Sequence, residues 1–75
     1  MLKYELIECK GNTCIYMYYP EGDTNYPGVV SVTRNNDDVE GEILELSPID
    51  KFKIYAYQAI YGKKYAELKG TIAWY

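Results

Sequence analysis

Two runs of strand-forming residues on either side of Gly11-Asn12 limit the fold of this chain more than any other feature. Aliphatic residues and tyrosine dominate residues 2–9 and 13–19, and each run has the length of a β-strand. A two-residue loop with glycine at its first central position suits a type II′ turn, which joins antiparallel strands. The sequence therefore predicts a β-hairpin in which residue 9 pairs with 14, residue 7 with 16 and residue 4 with 19.

This register divides the hairpin side chains between two faces, because successive residues of a strand point in opposite directions. The face predicted to form the core carries Leu2, Tyr4, Leu6, Ile15, Met17 and Tyr19. The opposite face carries Lys3, Glu5, Ile7, Cys9, Cys14, Tyr16 and Tyr18. Since this second face combines aromatic and apolar side chains with charges, we expect it to be a contact surface.

Two more strands follow, separated by segments rich in turn-forming residues. Residues 20–28 contain proline, glycine, aspartate and asparagine and predict a loop, and residues 29–33 predict the third strand. The run Asn35-Asn36-Asp37-Asp38 predicts a turn before a fourth strand at residues 42–46. The first four elements are thus expected to form a meander.

The segment after the fourth strand predicts a helix. In Ser47-Pro48-Ile49-Asp50, the serine can cap a helix and the proline suits the first helical position. The negative charge of the aspartate interacts favourably with the positive N-terminal end of the helix dipole. Helical spacing then relates Ile49, Phe52, Ala56, Ala59 and Ile60, and Gly62 is the expected end. The alternation within residues 51–57 leaves a strand as the alternative.

The apolar run at residues 71–75 predicts a fifth strand, which the strand directions place antiparallel to the first. The expected fold class is α+β, an antiparallel sheet of four to five strands in the order 5-1-2-3-4 with one helix packed on one face. At 75 residues the chain has the length of a single small domain, residues 1–75.

Three segments carry a resemblance: Tyr19-Pro20-Glu21-Gly22-Asp23, Gly28-Val29-Val30-Ser31-Val32 and the ending Gly70-Thr71-Ile72-Ala73-Trp74-Tyr75. Together they resemble small bacterial single-domain proteins that end in a similar Ala-Trp-Tyr. The resemblance implies strands, then a helix, then a final strand, and it implies no activity. Such proteins often have a histidine in the helix, whereas this segment reads Tyr55-Ala56-Tyr57-Gln58-Ala59, so no role of that histidine is carried over.

The charge distribution argues against nucleic acid as a partner. Residues 1–50 carry ten acidic and three basic residues, whereas residues 51–75 carry five lysines and one glutamate. Phosphate binding draws on clustered positive charge, which only the last third can offer.

Charges also interrupt each apolar run well before the roughly 18 residues that a membrane helix requires. With no long apolar stretch at the start either, we expect a cytoplasmic protein without a membrane partner.

The residue types that carry most catalysis are scarce. The chain has no histidine, so neither cysteine has the usual base to activate it, and we expect no enzyme, no cofactor and no metal site within one chain. Asp37, Asp38 and Glu40 lack the spacing of a calcium loop and are interpreted as a solvated turn.

Cys9 and Cys14 face each other in the predicted register. They are expected to be thiols in a reducing compartment, with a reversible redox pair or a metal shared in a dimer as alternatives.

Ten tyrosines in 75 residues favour binding, because tyrosine supplies a large contact area at low entropic cost. We therefore predict a small non-catalytic protein-interaction or self-associating module, whose partner is another protein or a second copy in a homodimer. Its predicted interaction surface comprises Ile7, Tyr16, Tyr18, Tyr57 and Tyr61. The alternatives are a redox-responsive or dimer-shared metal-binding protein through Cys9 and Cys14, and a weak single-strand nucleic-acid binder, in which sheet tyrosines would stack on bases.

Overall fold

A computed structural model describes residues 1–36, 38–62 and 69–72 of the chain, and it describes residues 61, 62 and 69–72 by their backbone alone. In these residues the fold is an antiparallel sheet with one helix. The elements are β1 (Leu2–Lys10), β2 (Thr13–Pro20), β3 (Gly28–Asn35), β4 (Asp38–Glu45), α1 (Ile54–Gly62) and β5 (Lys69–Ile72). The sheet order is β4-β3-β2-β1-β5, and each neighbouring pair is antiparallel. The predicted α+β class is confirmed. Residues 73–75 of the predicted last strand lie outside the described residues.

A β-bulge in the first hairpin changes which side chains face the core. The turn matches the prediction, because Lys10 pairs with Thr13, Cys9 pairs with Cys14, and Gly11 has a φ of +57°. Beyond that point the register shifts between Leu6 and Glu8, so that Leu6 pairs with Tyr16 and not with residue 17. A shift of one residue moves every following side chain to the other face.

The predicted core of β2 is therefore wrong. Its buried residues are Cys14, Tyr16 and Tyr18, whereas Ile15, Met17 and Tyr19 lie on the opposite face and are half-buried. Leu2 and Tyr4 of β1 join the buried set as predicted, and the rings of Tyr4 and Tyr16 meet edge to face at 6.0 Å. The core thus contains tyrosine rings where aliphatic side chains were expected.

The helix packs on this core through two alanines and one isoleucine. Ala56, Ala59 and Ile60 are buried, together with Val30 and Val32 of β3. β4 comes close to the helix because Gly41 has no side chain: a Cβ there would lie 1.8 Å from Cγ2 of Ile60. The helix α1 covers this face of the sheet, and the face turned away from α1 is called the outer face below.

The helix begins later than predicted. Two successive turns precede it, closed by hydrogen bonds from Asp50 N to Ser47 O (3.0 Å) and from Lys53 N to Asp50 O (3.2 Å). Lys53 has a φ of +60°, so the backbone becomes helical only at Ile54. Ser47 and Pro48 do not start α1 as expected, whereas the helix itself and its end at Gly62 are confirmed.

No helix in the described part of the chain is both long and apolar enough to span a membrane.

Candidate protein-interaction surfaces

The predicted interaction surface is dispersed in the structure. Tyr16 and Tyr18 are buried, at 1% and 0% exposure, because the bulge turns them toward the helix. Ile7 and Tyr57 are exposed, at 51% and 47%. The side chain of Tyr61 lies outside the described residues. Two of the five predicted residues therefore cannot contact a partner, and the interaction surface must be sought elsewhere.

A buried hydrogen-bond network explains why Tyr18 faces inward. Its hydroxyl accepts a bond from Ser47 N (2.9 Å) and donates to Oδ2 of Asp50 (3.3 Å). Asp50, which is 2% exposed, also accepts from Tyr55 N (3.1 Å) and Ala56 N (2.7 Å). These two amides belong to the first turn of α1, where donors have no partner within the helix. Asp50 therefore caps the helix from outside it and joins the helix to the sheet.

The same network changes the acidity of Tyr18. Burial, the largest cause, raises the pKa of its phenol from 10.0 to about 12, and the nearby Asp50 acts in the same direction. The folded protein thus holds this proton between about pH 10 and 12, where an unfolded chain releases it. The stabilising contribution of the neutral phenol is complete below pH 10 and is lost as the pH rises through this window.

A Tyr18→Phe variant is expected to lose less stability than the wild type between about pH 9 and pH 11, because it lacks the phenol that the unfolded chain ionises while the folded chain keeps it protonated. The measurement is urea unfolding at the two pH values. Tyr26→Phe is the matched control, since Tyr26 is 43% exposed, and it should follow the wild type. An equal loss in Tyr18→Phe and the wild type would contradict the role given to this phenol.

The segment held by this network presents an apolar surface to solvent. Phe52 is 81% exposed, Ile49 is 38% exposed and Ile54 is 52% exposed. Lys51 and Lys53 are exposed on either side of the phenylalanine. We call these five residues the Phe52 surface. Single exposed apolar residues are ordinary, but here three lie between positions 49 and 54, on a segment closed by two turns.

Sequence reasoning missed this surface, because helical spacing placed Ile49 and Phe52 in the core. The contrary signal was the aspartate within the proposed first turn. Aspartate side chains bond nearby backbone amides in turns as readily as they cap a helix. Here the Asp50 side chain binds amides five and six residues ahead, so the segment in between folds as turns and leaves the core.

The outer face of the sheet is a second candidate surface, and its strands place exposed acidic residues around Ile15, Met17 and Val29, which are half-buried. One row across β1 to β4 reads Glu5, Met17, Val29 and Glu45, and the next reads Glu8, Ile15, Ser31 and Glu42. We call these two rows the acidic sheet face. Lysine occurs toward its ends, where Lys3 pairs with Tyr19 and Lys10 with Thr13, and β5 places Lys69 opposite Glu5 in the register.

A cavity of about 280 Å³ opens between β3 and β4 and is lined by Ser31, Thr33, Glu40, Gly41 and Glu42. The Thr33 hydroxyl shares a hydrogen bond of 2.8 Å with that of Thr13. Two carboxylates and two hydroxyls supply acceptor oxygens, and carboxylates attract cations. The cavity therefore suits a positively charged group such as an ammonium.

Cys9 and Cys14 form a disulfide in the structure, with their Cα atoms 4.0 Å apart. The predicted cross-strand pairing is confirmed, whereas the expected pair of thiols is not what the structure contains. Cys9 is exposed and Cys14 is 3% exposed. The Arg34 guanidinium donates to the Cys14 sulfur at 3.7 Å. The bridge joins the two strands beside the hairpin turn. Its cysteines are distant in sequence from the Phe52 surface.

Across residues 1–36, 38–62 and 69–72, no group of three or more histidine, cysteine, aspartate or glutamate side chains is arranged to hold a metal ion. Asp38 and Glu40 lie in β4 and not in the solvated turn expected from the sequence, and Asp37 lies outside the described residues. A scan against protein-family models found no match, and neither did searches of curated proteins and of solved structures. The proposed function therefore rests on the geometry and the charges of the described residues.

Proposed function

We propose that this chain is a small non-catalytic protein-interaction module that binds its partner through the Phe52 surface. The observation that supports this function most directly is the 81% exposure of Phe52 on a segment held by buried hydrogen bonds. Burying a phenylalanine side chain in a partner contributes about 1.5–3 kcal/mol, the range of an interface hot spot.

The rigidity of the segment adds to this binding energy. Turn hydrogen bonds fix the backbone on both sides of Asp50, and the Asp50 carboxylate fixes the start of α1. A contact residue that is already in place loses little conformational entropy on binding. A mobile loop with the same three apolar side chains would bind more weakly.

The polar groups support binding better than catalysis. The hydroxyl of Tyr18 and the carboxylate of Asp50 are buried and already bonded to each other and to backbone amides, so no substrate reaches them. The buried positions of Tyr16 and Tyr18 also remove the stacking surface on which single-strand nucleic-acid binding depended, and the open face of the sheet is acidic.

Capture by immobilised protein tests the proposal. Wild type, Phe52→Ser and Tyr26→Ser are each coupled to a resin and exposed both to a lysate of the source cell and to soluble copies of the chain. Tyr26 is the control, because it is an exposed aromatic residue outside the Phe52 surface. We expect at least one bound protein to decrease about tenfold or more with Phe52→Ser and to be unchanged with Tyr26→Ser. Equal capture by all three would overturn the proposal.

A further inference from the structure

We propose that the acidic sheet face binds the Phe52 surface of a second copy of this chain, so that copies associate head to tail. This inference rests on the proposed function, since it names the partner of the Phe52 surface. Two surfaces with complementary charge and shared apolar character support it, and both belong to the described residues.

The receiving surface has acid at both edges, and between them lie Ile15, Met17 and Val29 together with the buried Ser31. In the row of Ile15, Glu8 lies on β1 and Glu42 on β4, and in the row of Met17, Glu45 lies on β4 beside Val29. Adjacent strands are about 4.8 Å apart, so β1 and β4 are separated by roughly 14 Å. An incoming group must therefore be apolar at its centre and positive on both sides.

The Phe52 surface has this pattern. Lys51 and Lys53 flank the exposed ring, and both are exposed themselves. The Cα atoms of two residues on either side of a third lie up to roughly 7 Å apart. Each lysine adds a flexible four-carbon stem to this distance. The ammonium groups of Lys51 and Lys53 can therefore reach two carboxylates that lie roughly 14 Å apart. The phenylalanine ring can then pack on Ile15 and Met17, and a thioether beside an aromatic ring is a favourable contact.

The cavity between β3 and β4 gives one lysine a specific site. Glu40 and Glu42 supply carboxylates there, and Ser31 and Thr33 supply hydroxyl oxygens. An ammonium group has three donors and no acceptor, so a cavity lined with acceptor oxygens matches it. A volume of about 280 Å³ leaves room for the end of a lysine side chain.

The same charges decide the geometry of association. If two acidic sheet faces met each other, Glu8, Glu42 and Glu45 of both copies would come together, and like charges in an interface are unfavourable. The contact therefore joins two different surfaces that share no residue. Such a heterologous contact adds copies one after another unless the rotation closes a ring, in contrast to the homodimer expected from the sequence.

Two charge-reversed variants test this arrangement by complementation. Glu8→Lys with Glu42→Lys changes the sheet face and keeps the Phe52 surface, whereas Lys51→Glu with Lys53→Glu does the reverse. All four residues are exposed, so both variants should keep the fold, which circular dichroism checks. Their net charges change in opposite directions, so a common loss of association does not come from net charge.

Sedimentation velocity over a range up to a few hundred micromolar, the affinity range of small interfaces, is the measurement. We expect the wild type to form growing oligomers and each variant alone to associate at least tenfold more weakly. An equimolar mixture should again form growing oligomers, in which the two variants alternate, because each surface of one variant then meets the opposite charge on the other. The variant with all four substitutions should assemble again. At high salt the wild-type association should weaken.

Three outcomes would overturn the inference: a monomeric wild type over the whole range, a sheet-face variant that associates like the wild type, or a mixture that stays as monomeric as its components. These outcomes are distinguishable from failure of the proposed function. If the wild type is monomeric but the lysate partner is lost with Phe52→Ser, the Phe52 surface binds a foreign protein. If neither self-association nor capture depends on Phe52, the proposed function fails as well.

Discussion

Gly41→Ala is expected to lower the free energy of unfolding by about 3 kcal/mol, a large effect for the addition of one methyl group. The new Cβ would lie 1.8 Å from Cγ2 of Ile60 and 2.9 Å from its Cβ. Ile60 is 4% exposed, and the neighbouring Ala56 and Ala59 are fully buried, so the helix cannot withdraw locally. Either the side chain or the whole helix must shift.

Urea unfolding of the wild type and four variants measures this effect. The control is Glu42→Ala, on the opposite face of the same strand, which should stay within about 0.5 kcal/mol of the wild type. Ile60→Ala leaves a cavity, and in the double variant the methyl group at position 41 partly fills it. The double variant should therefore lose clearly less than the two single losses added together. A Gly41→Ala protein as stable as the wild type would show that α1 can move without cost.

The hairpin shows why its turn was predictable and its faces were not. The turn depends on local chemistry, since Gly11 takes the positive φ that its position requires. The bulge at Ile7 has no such local signal, because both alternating sets of β2 are apolar enough to form a core. The choice depends on distant partners: Tyr18 reaches Ser47 and Asp50, and the missing side chain of Gly28 leaves space for its ring, where a Cβ would lie 2.1 Å from Cε1.

The candidate interaction site was missed for a related reason. Apolar spacing extends through Ile49 and Phe52 into the true helix, so periodicity alone predicts one continuous helix. The boundary is instead determined by Asp50, whose carboxylate serves α1 from outside while its carbonyl closes the turn to Lys53. The residues before Ile54 are thereby excluded from the core, and this exclusion is what exposes Phe52.

Asp50→Ala is expected to cost about 4 kcal/mol, because three donors lose their common acceptor in a buried site: the Tyr18 hydroxyl and the amides of Tyr55 and Ala56. A domain of this size has a total stability of roughly 4–11 kcal/mol, so the variant should be partly or wholly unfolded at room temperature. Asp50→Asn keeps one carbonyl acceptor but turns an amide donor toward the backbone donors, and it should lie between the alanine variant and the wild type.

Asp23→Ala is the matched control, since the Asp23 carboxylate also accepts a backbone amide, from Asn25 at 2.9 Å, but in an exposed turn. Water can replace that acceptor, so its loss should cost less than about 1 kcal/mol. Urea unfolding compares the three variants, and equal losses for Asp50→Ala and Asp23→Ala would refute the structural role of Asp50. Because Asp50 also positions the segment that carries Phe52, Asp50→Asn should weaken capture by the Phe52 surface even under conditions in which the variant remains folded.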